Sequence, residues 1–169
     1  MRQLFLLLVV VCCSMSLHAD TSLPINPMPQ IDPDTPIYEV KVELGVSYDD
    51  VVTSLKVAAE GKNFVSPAVF SIGDHIRQRG LPLQGVLEVR TYCSLGIGAE
   101  ILMESPEFAV FAPCRIALYE KKGQLYMGLD RPTYALRYIK GHSAKAEQAA
   151  QQIEATLIWM MDRARKGEI

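Results

Sequence analysis

The chain is poor in the residues from which metal, redox and hydrolytic sites are built. It has three histidines and four cysteines in 169 residues. Neither a Cys-x-x-Cys nor a His-Glu-x-x-His spacing occurs. Gly96-Ile97-Gly98 lacks the third glycine of a dinucleotide-binding fingerprint, and no Gly-x-Ser-x-Gly elbow is present. The sequence therefore indicates no catalytic site and no metal site of these types.

Positive charge is also scarce, with 17 lysines and arginines against 19 acidic residues. The densest basic run, Arg163-Ala164-Arg165-Lys166, closes a predicted helix, where cations favour the helix dipole. No basic stripe with interleaved aromatic residues occurs, so we do not expect nucleic-acid binding. We expect no membrane span after removal of the signal described next, because its apolar run covers about 13 residues and a transmembrane helix needs about 20.

The chain begins with the anatomy of a secretory signal. Arg2 precedes an apolar run from Leu4 to Val11, and a more polar stretch then ends in the small residue Ala19. We expect cleavage near Ala19 and a periplasmic or secreted mature protein. Lipidation at Cys12 or Cys13 is the less favoured alternative, because Val or Cys stands where a lipoprotein signal has a small residue.

A proline-rich arm connects this signal peptide, residues 1–19, to the remainder of the chain. Residues 20–36 contain five prolines, and proline removes amide donors and favours extended conformations. We predict a tether: a disordered linker is the first interpretation, and a strap docked on the domain or on a partner is the alternative. Residues 37–169 then form a single domain, since their length suits one hydrophobic core.

The remainder of the chain alternates between strand and helix patterns. Apolar residues at period two, with turn signals between them, predict strands at 38–44, 63–71, 86–92, 116–120 and 124–129. Helical spacing and capping residues predict helices at 47–60, 75–79, 95–104 and 142–166. Lys121-Lys122-Gly123 is typical of a hairpin turn, which requires antiparallel pairing. The predicted fold is therefore α+β: an antiparallel sheet of about five strands packed against two or three helices.

Three details of this pattern make specific predictions. Ser47 and Asp50 have the spacing of a capping box at the start of the first helix. Pro67 lacks an amide donor, so the second strand should lie at a sheet edge or contain a bulge. Gly96 and Gly98 would let a strand, a partner helix or a ligand approach the third helix closely, and we expect the sheet to do so.

The order of these elements around two cysteines resembles that of one family. A helix begins at Ser47-Tyr48-Asp49-Asp50-Val51, a strand ends in Cys93, and Ala112-Pro113-Cys114-Arg115-Ile116 enters the hairpin. In this respect residues 38–129 resemble the bacterial and archaeal domain-of-unknown-function-302 family. The resemblance implies an α+β domain with an antiparallel sheet, often dimeric, whose biochemical role is unsettled. In that family Asn commonly follows the first cysteine, where this chain has Ser94.

Cys93 and Cys114 are the only cysteines after the signal. Two lone thiols tend to pair in an oxidising periplasm, so a Cys93–Cys114 disulfide is the first prediction. Two buried free thiols are one alternative, and a metal or haem site or reactive thiol chemistry is another. Arg115 would favour the Cys114 thiolate if it pointed back toward the sulfur, but alternation along a strand argues against that. A metal would need further ligands, and only His75 and His142 are available besides Met and acidic residues.

Two functional hypotheses follow from these residues. The first is a non-catalytic exported binding domain, a homodimer, that holds a small ligand or an envelope partner between sheet and helices near Cys93, Cys114 and Arg115. The second is a thiol-active, metal-binding or haem-binding protein of redox or sulfur metabolism that uses the two cysteines. An accessory subunit that docks through the proline-rich arm is a further possibility. The sequence identifies neither a cofactor nor a particular ligand.

Overall fold

One antiparallel sheet forms the framework of the domain. The computed structural model describes residues 29–169, so the predicted signal peptide and the first part of the proline-rich arm lie outside it. The strands are β1 (Ile37–Lys41), β2 (Val69–Phe70), β3 (Leu87–Tyr92), β4 (Cys114–Lys121) and β5 (Gln124–Asp130). Their order across the sheet is β1-β5-β4-β3-β2, and every neighbouring pair is antiparallel. The predicted α+β class is confirmed.

Helices cover one face of this sheet. They are α1 (Tyr48–Gly61), α2 (Ile72–Gln78), α3 (Leu95–Leu102), a 3₁₀ helix (Pro106–Phe111), α4 (Pro132–Leu136) and α5 (Ala144–Ala164). The core lies between α1, α3, α5 and the side of the sheet that carries Ile116, Leu118, Met127 and Leu129, all fully buried. The sequence pattern predicted α1, α3 and α5 and missed α4 and the 3₁₀ helix. Both are short, and both begin with proline at the first helical turn.

Local capping explains where the long helices begin. The Ser47 hydroxyl accepts the amide of Asp50, and the Asp50 carboxylate accepts the amide of Ser47 at 2.9 Å, so the predicted capping box forms. Ser143 caps α5 in the same position by accepting the Ala146 amide at 3.1 Å. The hairpin turn also forms as predicted, with Lys122 at φ 53° and Gly123 at φ 75°.

The predicted strand at 63–71 is mostly not a strand. Only β2 pairs regularly, with Val69 opposite Arg90, and an isolated bridge joins Val65 to Cys93. The five residues from 65 to 69 therefore oppose the four residues from 93 to 90, and one extra residue on one strand is the signature of a bulge. Pro67 lies inside this bulge and β2 lies at the sheet edge, so both alternatives predicted from this proline are confirmed.

The last part of the proline-rich arm is held against the domain. Ile31 packs on the core, and Arg131 donates from Nη1 to the carbonyls of Asp32 at 2.8 Å and Thr35 at 2.7 Å. Arg137 pairs with Asp34 at 2.9 Å. These contacts form a strap, residues 31–36, that joins the arm to the domain.

The sheet does not pack on Gly96 and Gly98, so the prediction that it approaches them is wrong. A Cβ atom added at either position would meet nothing within 4 Å among the described residues. The reason lies in how α3 packs: it buries Ile101 and contacts α5 and the 3₁₀ helix, and the glycines lie away from that contact.

Candidate functional site

The two cysteines lie at the same end of neighbouring strands, but the register does not oppose them. Tyr92 is the residue opposite Cys114, and Cys93 exchanges two 2.9 Å backbone hydrogen bonds with Val65. Successive side chains of a strand point to opposite faces, so Cys114 lies on the helix-covered side with Tyr92, and Cys93 is turned away from it. Both cysteines are free thiols in the structure, and the disulfide predicted from the compartment is not formed in it.

The surroundings of these thiols oppose thiolate formation. Burial raises the pKa of Cys114 to about 12, and Asp130 and Cys93 add to the effect, while Arg115 opposes it. Burial also raises the pKa of Cys93. Arg115 instead binds Asp130, with its backbone amide 2.8 Å from Oδ1 and its Nε 2.8 Å from Oδ2. Burial raises the pKa of Asp130 despite this pairing.

The predicted site residues therefore do not form one site. Arg115 precedes Ile116 on β4, and Ile116 faces the core, so Arg115 lies on the face without helices. Cys114 lies on the helix-covered face of the sheet. Cys93 lies beside Val65, in the segment that leads into the edge strand β2. Arg115 and Cys114 thus lie on opposite faces of β4, as strand alternation predicts, so the condition for activation of Cys114 by this cation is not met in the structure.

A cleft of about 450 Å³ opens between α1 and the end of β3. We call it the inner cleft, and its main lining residues are Val52, Lys56, Phe64, Val65, Ser66, Arg90 and Tyr92. It lies next to the bridge between Val65 and Cys93. Its size is in the range of small-molecule sites. It therefore lies beside the cysteine region that sequence reasoning selected, although neither cysteine lines it. A second cavity of about 510 Å³, lined by Val65, Ser94 and Gly96 among others, also borders that region.

A hydrogen-bonded triad fixes the guanidinium of the inner cleft. Arg90 Nε donates to Glu88 Oε1 at 2.6 Å, and Arg90 Nη2 donates to the Tyr48 hydroxyl at 3.1 Å. Tyr48 in turn donates to Glu88 Oε2 at 2.8 Å. Burial and the bond to Glu88 raise the pKa of Tyr48, which keeps the phenol protonated as the donor. The arrangement neutralises a carboxylate that is almost fully buried.

This triad was not found from the sequence. The pattern of β3 shows an aliphatic face and a mixed face, and the mixed face, with Glu88, Arg90 and Tyr92, is the one that faces the helices. Charged residues on the covered face are tolerated because Glu88 and Arg90 pair with each other and with Tyr48. The sequence did contain one signal for the triad: Tyr48 at the start of α1, together with Glu88 and Arg90 two residues apart on β3.

The opposite face of the sheet carries no helix among the described residues. We call it the open face. Small residues, Ala117 and Gly128, form the floor of a shallow hollow of about 260 Å³ there, with Ile37 and Val89 beside them. The Tyr119 ring lies across Gly128, and its hydroxyl donates to Glu39. Two ion pairs flank the hollow, formed by Arg115 with Asp130 and by Lys121 with Glu39.

The histidines lie apart from these features. His75 is on α2, and His142 contacts the Ile139 carbonyl through Nδ1 at 2.8 Å. Within residues 29–169, no group of three or more His, Cys, Asp or Glu side chains could hold a metal ion. In the same range no helix has both the length and the apolar character needed to cross a bilayer.

A model of the family described as domain of unknown function DUF302 matches residues 38–164. The chain belongs to the DUF302 family. An uncharacterized protein of Aquifex aeolicus (strain VF5) is 34% identical over 120 residues, which is 70% of this chain and 76% of that protein. The crystal structure of an uncharacterized conserved protein DUF302 from Bacillus stearothermophilus has a TM-score of 0.68 at 22% identity. It covers 76% of this chain and 98% of that one, so the two share the DUF302 fold.

Proposed function

We propose that this DUF302 chain is a non-catalytic binding domain, exported to the periplasm or secreted, that holds a small ligand in the inner cleft. The observation that carries the proposal is a cleft of about 450 Å³ with apolar walls and one guanidinium fixed in orientation. Ligand sites are typically concave and apolar with a few convergent polar groups. The raised pKa values of Tyr48, Cys93 and Cys114 support binding over nucleophilic chemistry, because all three groups stay protonated near neutral pH.

The open face is the surface we assign to a second copy of the chain. Its ion pairs place two acids and two bases around an apolar hollow, so a copy related by twofold symmetry can match opposite charges. Ile37 and Phe70, each 54% exposed, add apolar surface at the two edges. The strands comprise 28 residues, which at about 3.4 Å per residue and about 4.8 Å between strands give a projected area of about 460 Å². A standard interface buries roughly 800 Å² per partner, so the dimer we propose also uses side chains and segments around the sheet.

Ligand binding is tested by blocking the cleft without disturbing the core. Ser66 is exposed at the cleft, so Ser66→Trp should fill it while the fold is retained. Lys145→Trp, on the exposed start of α5, is the matched control. A small-molecule panel is screened by thermal shift against the mature chain. We expect a compound that stabilises the wild type and the control but not Ser66→Trp. A panel without any stabilising compound, or one that stabilises Ser66→Trp equally, would contradict the proposal.

Dimerisation and export are tested on the same protein. Ala117→Glu places a charge in the hollow of the open face, and Gln148→Glu places one on the opposite, helical side. Sedimentation velocity should show a dimer for the wild type and Gln148→Glu and a monomer for Ala117→Glu. A monomeric wild type would remove the dimer from the proposal. The intact mass of protein from a periplasmic fraction should lack residues 1–19.

The thiol-active or metal-binding alternative has less support. It needs an accessible thiolate, and burial raises the pKa of Cys114 to about 12. It also needs the neighbouring cation, and Arg115 is bound to Asp130.

A further inference from the structure

Arg90 has more hydrogen-bond donors than the triad uses. A guanidinium carries five N–H groups in a rigid fork. Nε–H is used by Glu88 and one Nη2–H by Tyr48, and Nη1 bonds to no other described residue. The side chain is 16% exposed and lines the inner cleft. No buried side-chain nitrogen or oxygen of the described residues lacks a hydrogen-bond partner, so the spare donors of Arg90 are accessible to solvent. Accessible donors beside a cleft can bind a ligand that supplies acceptor oxygens.

The cleft mouth carries one further cation beside one acid. Lys56 and Glu60 both line the cleft, their side chains are 73% and 65% exposed, and Lys56 Nζ lies 4.0 Å from Glu60 Oε1. Such an exposed pair is weak, so the ammonium can turn to a ligand at little cost. Glu88 is already engaged by Arg90 and Tyr48 and offers no charge that would attract a cation.

The walls define the other end of the ligand. Val52, Ala59, Phe64 and Val65 are apolar and line the same cleft. Its volume of about 450 Å³ equals that of about 15 water molecules. A short alkyl chain or a single aromatic ring fits within this space.

We propose that the inner cleft binds a small amphipathic carboxylate, with the carboxylate on Arg90 and Lys56 and the apolar part against Val52, Phe64 and Val65. The inference rests on the proposed function and specifies its ligand class. The planar fork of Arg90 matches two carboxylate oxygens, which an amide or an alcohol cannot reproduce.

The test uses probes that differ only in the polar group. The mature chain labelled with ¹⁵N is titrated with hexanoate, hexanamide and hexylamine. Hexanoate should shift the amide signals of Val65, Ser66 and Arg90, with hexanamide at least about tenfold weaker because a charge-assisted hydrogen bond is lost. Lys56→Gln should weaken hexanoate several-fold and leave hexanamide unchanged, while Lys145→Gln should change neither.

Arg90 needs a balanced variant, because removing it alone leaves Glu88 buried without its partner. In Glu88→Gln/Arg90→Gln the binding preference for hexanoate over hexanamide should disappear, and in Arg77→Gln it should persist. Equal or tighter binding of hexanamide or hexylamine by the wild type would overturn the ligand class and leave the cleft as a binding site. If none of the three probes shifts signals at the cleft, the proposed ligand class is also overturned. The screen with Ser66→Trp then decides separately whether the cleft binds any ligand.

Discussion

Arg131 and Glu154 form an ion pair that joins three parts of the molecule. Arg131 Nε donates to Glu154 Oε1 at 2.9 Å, and each side chain is only 8% exposed. The second oxygen of Glu154 accepts the Thr133 amide at 3.1 Å. Arg131 Nη1 also donates to two backbone carbonyls of the strap, those of Asp32 and Thr35. The pair therefore connects α5, the start of α4 and the end of the proline-rich arm.

Breaking this pair from one side should be strongly destabilising. Arg131→Met leaves the Glu154 carboxylate buried without its cation, and we expect the free energy of unfolding to fall by about 3–5 kcal/mol. Arg137→Gln removes the exposed pair with Asp34 and should cost less than about 1 kcal/mol. Urea denaturation measures both. The ion pair would be unimportant if the two variants lost equal stability.

The two thiols should react at very different rates. A pKa of about 12, against an ordinary value of 9.0, leaves Cys114 with about a thousandfold less thiolate than an ordinary thiol. Brief alkylation of the native protein, followed by digestion and mass spectrometry, should modify Cys93 first and Cys114 only after denaturation. A linked Cys93–Cys114 peptide in a non-reducing digest would show the disulfide instead and contradict this result.

Stability should decline in mildly alkaline solution. The Cys114 pKa is raised on folding, so its stabilising contribution is complete below pH 9 and is lost as the pH rises toward 12. One proton released on unfolding gives a slope of up to about 1.4 kcal/mol per pH unit. Tyr92, whose pKa burial also raises from 10.0, contributes mainly above pH 10. Chemical denaturation between pH 9 and 10 should therefore show a shallower decline for Cys114→Ala than for the wild type, and equal slopes would refute the assignment.

Gly128 and Tyr119 should show coupled effects. A Cβ atom at Gly128 would lie 3.0 Å from the Tyr119 hydroxyl and 3.2 Å from its ring, so Gly128→Ala requires the ring to shift by a few tenths of an ångström, which strains its bond to Glu39. We expect a loss of about 1–2 kcal/mol, in the usual range for overpacking. In a Tyr119→Ala background the same change should be neutral or gain about 0.5 kcal/mol, because alanine suits a strand better than glycine. A double-mutant cycle by thermal denaturation checks this, and additive effects would contradict it.

The parts of the fold that sequence reasoning predicted well depend on local chemistry. The capping box of Ser47 and Asp50, the turn at Lys122 and Gly123, and the bulge at Pro67 all need only neighbouring residues. Helix α5 follows from apolar spacing alone, since the apolar residues that recur at helical spacing are all buried: Ala146, Ala149, Ala150, Ile153, Leu157, Met160, Met161 and Ala164. The family resemblance was correct for the same reason, because it used the order of these elements.

The site was harder to predict because its contacts are distant in the sequence. Tyr48 and Glu88 are 40 residues apart, and nothing local indicates that they meet. Arg115 pairs with Asp130 across the hairpin, so its guanidinium lies away from the sulfur of Cys114, although the two residues are adjacent in sequence. A pair of cysteines at neighbouring strand ends is visible in the sequence, but the register that offsets them is not.

The bulge around Pro67 has a further consequence for how this protein meets other chains. An edge strand with free amides is a template onto which another extended chain can add, and such addition leads to aggregation. Here β2 has only two paired residues. The bulge residue and Pro67, which has no amide hydrogen, interrupt the row of backbone hydrogen bonds next to them. This edge is therefore protected against the addition of a strand from another chain. Recognition at this end of the sheet must then depend on side chains, not on backbone pairing.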